Sequence, residues 1–158
     1  YWKQEDRTAS AMRDGWYITG DIGSLDADGF LSLTDRLSRF SKIAGEMVPL
    51  IRVEEAVREH AGIEHCVVVA LPDPQKGERL VLLHTDPEKE PAHINRAVAA
   101  TGMSRLWIPK AESIYRIDQL PILPTGKLDL RRVKALAAEL EGNQRHDATP
   151  VDTQASPA

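Results

Sequence analysis

The feature that most constrains this fold is an uninterrupted apolar run at residues 66–71, with the sequence Cys-Val-Val-Val-Ala-Leu. A short run rich in β-branched valine, with no alternating polar residues, is typical of a strand that is covered on both faces. Residues 72–77 contain two prolines and a glycine that end the run, and the apolar residues 80–84 predict a partner strand. We therefore expect the core to be built around residues 66–71.

Three segments with helical periodicity accompany these strands. Each places apolar side chains three or four positions apart, at about residues 50–60, 94–102 and 130–140. Gly62 and Gly142 are expected to end the first and the last of these helices, because glycine is common just beyond a helix C-terminus.

Further short strands complete the predicted fold. Residues 40–44 and 113–117 each favour an extended segment, so strands alternate with helices from residue 40 onward. This order predicts a small α+β domain of α/β type, with a short mixed sheet and about three helices. Before it, residues 17–33 predict a β-hairpin around the Asp-Ala-Asp-Gly turn at residues 26–29.

The two ends of the chain differ from this central unit. Trp2, Met12 and Trp16 are large apolar residues in a polar segment, so we expect them to pack against sequence that precedes Tyr1. Residues 143–158 are dominated by polar residues, alanine and proline, and are predicted to form a disordered tail.

Composition excludes several classes of function. The chain has 158 residues and a net charge of -4, which does not favour a basic nucleic-acid-binding surface. The single Cys66 excludes a disulfide scaffold and a cysteine-rich zinc site within the chain, and this cysteine usage suits the cytosol. No apolar stretch approaches the roughly 20 residues that a membrane-spanning helix needs.

Two polar segments contain candidate nucleotide contacts. Gly15-Trp-Tyr-Ile-Thr-Gly-Asp21 predicts a turn that exposes a carboxylate, and a carboxylate can accept hydrogen bonds from the ribose hydroxyls; a structural turn is the alternative. Residues 35–45 contain Arg36, Arg39 and Lys42 among apolar positions. They indicate either an anion contact or a strand edge that is protected by charge.

A third segment, Leu120-Pro-Ile-Leu-Pro-Thr-Gly-Lys127, predicts a projecting loop stiffened by two prolines. The Lys127 ammonium is a compact charge that could bridge a carboxylate and a phosphate oxygen. The segment is not a Walker A loop, because residue 128 is leucine where that motif has a hydroxyl. The alternative is a turn at the start of a helix with a solvent-facing lysine.

The order of the three segments resembles that of the adenylate-forming superfamily, which includes acyl-CoA synthetases, firefly luciferase and the adenylation domains of peptide synthetases. The resemblance covers residues 1–140. Residues 38–49 and 76–82 are similar to the acyl-acyl-carrier-protein synthetase region of bifunctional 2-acylglycerophosphoethanolamine acyltransferases.

This resemblance implies a domain organisation and a set of ligands. Residues 1–37 would be the end of a large AMP-binding domain, 38–142 a small C-terminal lid, and 143–158 the tail. The implied cofactors are ATP and Mg²⁺, bound mainly by the preceding N-terminal domain, which is also a partner of the lid. A fatty acid and acyl carrier protein or coenzyme A would be the substrates. Location would be cytoplasmic, with inner-membrane association only through regions outside this chain, and the isolated chain would be inactive.

The resemblance also assigns roles to individual residues. Lys127 matches the lysine that acts in adenylate formation, Asp21 matches a contact to the AMP ribose, and Arg36 matches a contact near the ribose or phosphate. Gly45 matches a glycine beside the channel for the pantetheine arm, where a side chain would block the arm. Glu54 is expected to be structural, and no residue is assigned to a metal.

The hinge position between the two lid orientations matches Ser38, where the family usually has aspartate or lysine. Two alternatives to an acyl-carrier-protein ligase remain at this point. The acceptor could be coenzyme A, or the chain could be a non-catalytic interaction module that kept the fold.

Overall fold

The computed structural model describes residues 1–147 and divides the chain into two compact units, the first at Tyr1–Phe40 and the second beginning at Ser41. The domain boundary after residue 37, which the family resemblance implied, stays a prediction. Among the described residues, no helix is both long enough and apolar enough to cross a membrane.

The first unit contains one short helix and two small antiparallel pairs of strands. Its elements in order are α1 (Glu5–Ala11), β1 (Met12–Arg13), β2 (Trp16–Tyr17), β3 (Asp21–Leu25) and β4 (Leu31–Arg36). The predicted hairpin is confirmed as β3 and β4, and its turn is stabilised by Asp26, whose Oδ1 accepts hydrogen bonds from the backbone of Asp28 and Phe30. Helix α1 was not predicted. It has no buried residue, and its sequence lacks the apolar periodicity that indicates a helix.

A second hairpin, which begins at Phe40, was predicted in only one of its two strands. After a 3₁₀ turn at Leu37–Arg39, β5 (Phe40–Ile43) pairs with β6 (Glu46–Pro49) across a turn of Ala44 and Gly45. The expected extended segment at 40–44 is confirmed, but β6 was missed. Its four residues include Pro49, which resembled the start of a helix, and only Val48 among them is fully buried.

The second unit is organised around a three-stranded mixed sheet. Strand β7 (Cys66–Asp73) pairs antiparallel with β8 (Gly77–His84), and β8 pairs in parallel with β9 (Ile114–Arg116), so β8 lies in the middle. The helices are α2 (Leu50–Ala61), α3 (Pro91–Ala99) and α4 (Leu130–Asp147). Among the described residues this is the α+β unit with a short mixed sheet and three α-helices that the sequence predicted.

The sheet is covered on both faces, as the apolar run at residues 66–71 predicted. On one face, Val68 and Leu82 belong to a core cluster with the buried side chains of α2 and α3, such as Val57 and Ile94. On the other face lies a second cluster, composed mainly of β7, β8 and α4 residues: Val67, Val69, Leu71, Val81, Leu83, Tyr115, Val133 and Ala137. Successive residues of β7 therefore contribute to opposite layers.

The end of the last helix corrects one prediction. Helix α4 was expected to stop at Gly142, but it continues to Asp147, so the predicted tail at 143–158 starts within a helix. A single helical glycine costs only about 1 kcal/mol, and Glu141 just before it is buried and forms an ion pair with Arg79 on β8. The remainder of the predicted tail, residues 148–158, lies outside the described residues.

Candidate functional site

The Lys127 loop is a small, closed hairpin. The Lys127 carbonyl accepts a hydrogen bond from the Leu123 N–H at 2.7 Å, and the Leu123 carbonyl accepts one from the Gly126 N–H at 2.9 Å. Ile122 and Leu128 pair across it as an isolated bridge. Gly126 has a φ of +78°, a left-handed conformation that glycine adopts without strain.

The base of this loop is fixed by the start of α4. Asp129 caps the helix, because its Oδ1 accepts hydrogen bonds from the backbone N–H groups of Arg131 and Arg132, both at 3.1 Å. The helix is in turn anchored by the fully buried Val133 and Ala137. Lys127 thus projects from a defined backbone. Its side chain is exposed and forms no hydrogen bond or ion pair with any residue of the described chain, which leaves the ammonium available to an external anion.

Asp21 and Arg36, which the sequence indicated separately, are neighbours in the first unit. They are cross-strand partners in the β3–β4 pair, and the Arg36 Nε lies 2.8 Å from the Asp21 Oδ1. A guanidinium beside a carboxylate fixes the orientation of both groups. The Asp21 side chain is 23% exposed, so part of it can still accept hydrogen bonds from a ligand.

The predicted hinge residue belongs to the same surface as Arg36. Thr19, Gly20, Arg36, Leu37 and Ser38 line one shallow groove. Ser38 is exposed within the 3₁₀ turn, just before the boundary between the two compact units. The first unit therefore brings together Asp21, Arg36 and Ser38, while Gly45 and Lys127 belong to the second.

Gly45 forms the β5–β6 turn with Ala44. Both have positive φ, +49° for Ala44 and +89° for Gly45, as a two-residue hairpin turn of this kind requires. A Cβ added at Gly45 would meet no other atom of the chain within 4 Å. The backbone conformation, rather than crowding within the chain, is thus the local reason for glycine at this position.

Side-chain hydrogen bonds from elsewhere in the second unit connect to each strand of this hairpin. The Glu78 Oε2 accepts hydrogen bonds from the Ser41 hydroxyl and from the Lys42 N–H, both at 2.8 Å. On the other strand, Trp107 Nε1 donates to the Glu46 Oε1 at 2.6 Å. Neither contact could be predicted from the sequence, because partners so distant in the chain leave no local pattern.

A basic cavity of about 270 Å³ adjoins the hairpin at Ile43. Four cations line it, with two carboxylates: Lys76, Arg79, Arg105, Lys110, Asp73 and Glu112. Lys110 forms an ion pair with Glu112 at 3.3 Å, and Arg79 pairs with Glu141. Within the described part of the chain, the side chains of Lys76, Arg105 and Asp73 make no ion pair, so two cations stand against one carboxylate and the cavity keeps a surplus of positive charge. No sequence pattern indicated this cavity.

The turn that carries Lys76 has a fixed geometry. The Asp73 Oδ1 accepts hydrogen bonds from the backbone N–H groups of Gln75 and Lys76, both at 2.9 Å. The hydrogen bonds from Lys76 and Gln75 lower the pKa of the Asp73 carboxyl below its ordinary value, because they favour the ionised form.

Glu54 has the structural position that was expected for it. It is 5% exposed on α2, and its Oε1 accepts a hydrogen bond from the Val68 N–H at 2.8 Å, while Arg58 lies 3.5 Å from its Oε2. These contacts join α2 to the edge strand β7. Across residues 1–147, no group of three or more histidine, cysteine, aspartate or glutamate side chains is arranged to hold a metal ion.

Comparison with known proteins gives a family match. Residues 52–127 match the model of the AMP-binding enzyme C-terminal domain. The chain is 34% identical over 139 residues to a 3-hydroxybenzoate–CoA ligase of Aromatoleum sp. (strain CIB), an alignment that covers 86% of this chain and 27% of the ligase. It is also 34% identical over 134 residues to the fatty acid–acyl-carrier-protein ligase ScoC of Streptomyces coeruleorubidus, covering 84% of this chain and 25% of that protein.

A solved structure agrees with the fold. The amide bond synthetase McbA of Marinactinospora thermotolerans has a TM-score of 0.63 at 33% identity, and the match covers 86% of this chain and 28% of that one. The chain thus spans about a quarter of the length of the relatives it matches.

Proposed function

We propose, from the match of residues 52–127 to the AMP-binding enzyme C-terminal domain, that the chain is the C-terminal part of an ATP-dependent acid–thiol ligase. The observation that carries the proposal is the Lys127 ammonium, exposed on a hydrogen-bonded loop at the start of a capped helix. The reaction has two halves, and different residues of the chain serve each half.

In the first half, an oxygen of the acid's carboxylate attacks the α-phosphorus of ATP. The bond from that phosphorus to the bridging oxygen breaks, pyrophosphate leaves, and an acyl-adenylate remains. Two anions must approach each other, so the Lys127 ammonium lowers the barrier by neutralising charge on the carboxylate and the phosphate oxygens. Mg²⁺ bound together with ATP would supply further positive charge to the phosphates, and no residue of this chain is assigned to hold it.

Asp21 and Arg36 have a binding role in the same step. The Asp21 carboxylate accepts hydrogen bonds from the ribose hydroxyls, and Arg36 orients this carboxylate through their ion pair. Ser38, which lines the same groove as Arg36, is the hinge about which the second unit changes orientation between the two halves.

In the second half, the sulfur of a pantetheine thiol attacks the acyl carbon. A thioester forms, the bond from the acyl carbon to the AMP oxygen breaks, and the thiol proton goes to solvent. The Gly45 turn would lie beside the pantetheine arm, and the basic cavity next to the hairpin would bind phosphate groups of the molecule that carries it.

The cavity favours coenzyme A as the acceptor. Coenzyme A carries several phosphates, and the two cations of the cavity that make no ion pair within the described chain, Lys76 and Arg105, suit a multiply charged ligand better than the single phosphodiester of a carrier protein. Acyl carrier protein is the second candidate, supported by the sequence resemblance of residues 38–49 and by the similarity to ScoC. A fatty acid is the proposed acid substrate.

The test uses the complete protein that contains this chain. Fatty acids are supplied with ATP and Mg²⁺, pyrophosphate release is measured, and thioester is then quantified with coenzyme A and with phosphopantetheinylated carrier protein. We expect acid-dependent pyrophosphate release and thioester formation with coenzyme A. If thioester formed with the carrier protein and not with coenzyme A, acyl carrier protein would be the acceptor. If no carboxylic acid caused pyrophosphate release, the proposal of a ligase would be refuted.

A fused lysophospholipid acyltransferase, with membrane association outside this chain, is a finer proposal that rests on the same resemblance of residues 38–49. The sequence upstream of Tyr1 tests it. An acyltransferase domain there would support this proposal, and a complete protein without one would refute it.

A further inference from the structure

Glu78 connects the start of β8 to the hairpin that carries Gly45. Its Oε2 accepts one hydrogen bond from the hydroxyl of Ser41, which is 1% exposed, and one from the backbone N–H of Lys42. Both donors belong to β5, the strand that enters the Ala44–Gly45 turn. One carboxylate oxygen therefore fixes a side chain and a main-chain group of the same strand.

A backbone contact extends the same connection to the turn itself. The Ala44 N–H donates to the Lys76 carbonyl at 2.8 Å, and Lys76 and Glu78 flank Gly77, which has a φ of +80°. A Cβ added at Gly77 would lie 3.7 Å from the Lys42 carbonyl oxygen. The start of β8 thus approaches β5 closely, and Glu78 supplies the side-chain hydrogen bonds at this approach.

The turn needs such support because its own conformation is costly. Ala44 occupies a left-handed conformation, which is unfavourable for a residue with a Cβ, and both turn residues are exposed. Without the Glu78 hydrogen bonds, the direction in which the turn projects is less well defined.

We propose that Glu78 is a positioning residue for thioester formation, an inference that rests on the proposed function. It sets the place of the Gly45 turn beside the pantetheine arm, and it touches neither the adenylate nor the thiol. Because small displacements of groups that orient reactants have large effects on rate, loss of Glu78 slows the thiol attack. Adenylate formation depends on the Lys127 loop and is unaffected.

The nature of the contact predicts which substitutions are tolerated. Ser41 and Lys42 both donate to a single oxygen, so a glutamine can keep an acceptor oxygen at the same reach, whereas an alanine removes it. Glu78→Gln is therefore expected to keep the wild-type rate of thioester formation, which Glu78→Ala loses. If a negative charge were required at this position, Glu78→Gln would slow thioester formation as much as Glu78→Ala.

The experiment separates the two half-reactions in the complete protein. Adenylate formation is followed by pyrophosphate release before the thiol is added, and thioester formation is followed in a single turnover after coenzyme A is mixed with the preformed adenylate. Glu88→Ala is the matched control, because Glu88 is an exposed glutamate whose side chain makes no hydrogen bond with described residues.

For Glu78→Ala we expect a fall of roughly ten- to a hundredfold in the single-turnover thioester rate constant, with adenylate formation unchanged. Glu78→Gln and Glu88→Ala should behave like the wild type. A wild-type thioester rate in Glu78→Ala, or an equal loss in both half-reactions, would overturn the positioning role. A wild-type protein that forms no adenylate would refute the proposed function itself.

Discussion

Glu54 illustrates how a buried charge becomes intelligible only in the fold. In the sequence it stands beside Glu55 on a predicted helix, and its spacing from Leu50 and Val57 places it on the apolar face without indicating a partner for its charge. In the structure Glu54 is 5% exposed and accepts a hydrogen bond from Val68 on the edge strand β7, whereas Glu55 is exposed and pairs with Arg52. The family resemblance correctly suggested a structural role, but its partner could not be found from the sequence.

Replacement of Glu54 with alanine should destabilise the protein. It would leave the buried Val68 N–H without its acceptor, a loss of about 1–3 kcal/mol in the free energy of unfolding. Urea denaturation of the 158-residue chain measures this loss. Glu55→Ala is the matched control and should change stability little. Equal effects of the two substitutions would show that the Val68 contact contributes nothing.

His84 should make the stability of the fold sensitive to acid. It is fully buried at the end of β8, and burial lowers its pKa below the ordinary value, helped by Arg116 and opposed by Asp86. Below pH 6.5 the unfolded state therefore binds a proton more readily than the folded state, and stability falls with decreasing pH.

The measurement is the free energy of unfolding as a function of pH. The wild type should lose stability more steeply between pH 7 and pH 5 than His84→Leu, which cannot titrate at this position. His93→Gln alters an exposed histidine and should follow the wild type. If His84→Leu had the wild-type slope, the buried imidazole would not be the group responsible.

At the scale of elements, long apolar patterns were predictable and short irregular ones were not. The run at residues 66–71 identified β7, and its valines indeed face two core layers. Strand β6 was missed because it has four residues and ends at a proline. The end of α4 was misplaced because a glycine resembles a stop signal, whereas the ion pair between Arg79 and Glu141 depends on tertiary structure.

The β5–β6 hairpin allows backbone strain and function to be separated. Gly45 and Gly29 have nearly equal φ, +89° and +88°, and neither would place a Cβ within 4 Å of other atoms. Alanine at either position should therefore cost a similar amount of stability, roughly 1 kcal/mol. Under the proposed function, only Gly45→Ala should also slow thioester formation, because its methyl group would enter the path of the pantetheine arm.

Thermal denaturation and the single-turnover thioester assay, performed on both variants in the complete protein, measure the two effects. Slower thioester formation in Gly45→Ala alone, at matched loss of stability, is the expected result. Equal thioester rates in Gly45→Ala and Gly29→Ala would contradict the placement of the arm beside this turn.

At the scale of the whole molecule, the order of motifs along the chain was more informative than any single motif. Asp21 and Arg36 lie fifteen positions apart in sequence and meet as cross-strand partners once the hairpin forms, since position 21 pairs with position 36. No sequence motif predicted the basic cavity. Lys76, Arg105 and Lys110 come from separate segments that only the folded sheet and its 3₁₀ turns bring together.

The most direct test of the central claim is Lys127→Ala in the complete protein, assayed in each half-reaction separately. Adenylate formation should fall roughly a hundredfold or more, because a charge that stabilises the phosphoryl transition state is lost. Attack of the thiol on an adenylate supplied preformed should continue at the wild-type rate. Lys134→Ala, which removes an exposed lysine from α4, is the control. Undiminished adenylate formation in Lys127→Ala would contradict the catalytic role and favour an interaction module that kept the fold without the chemistry.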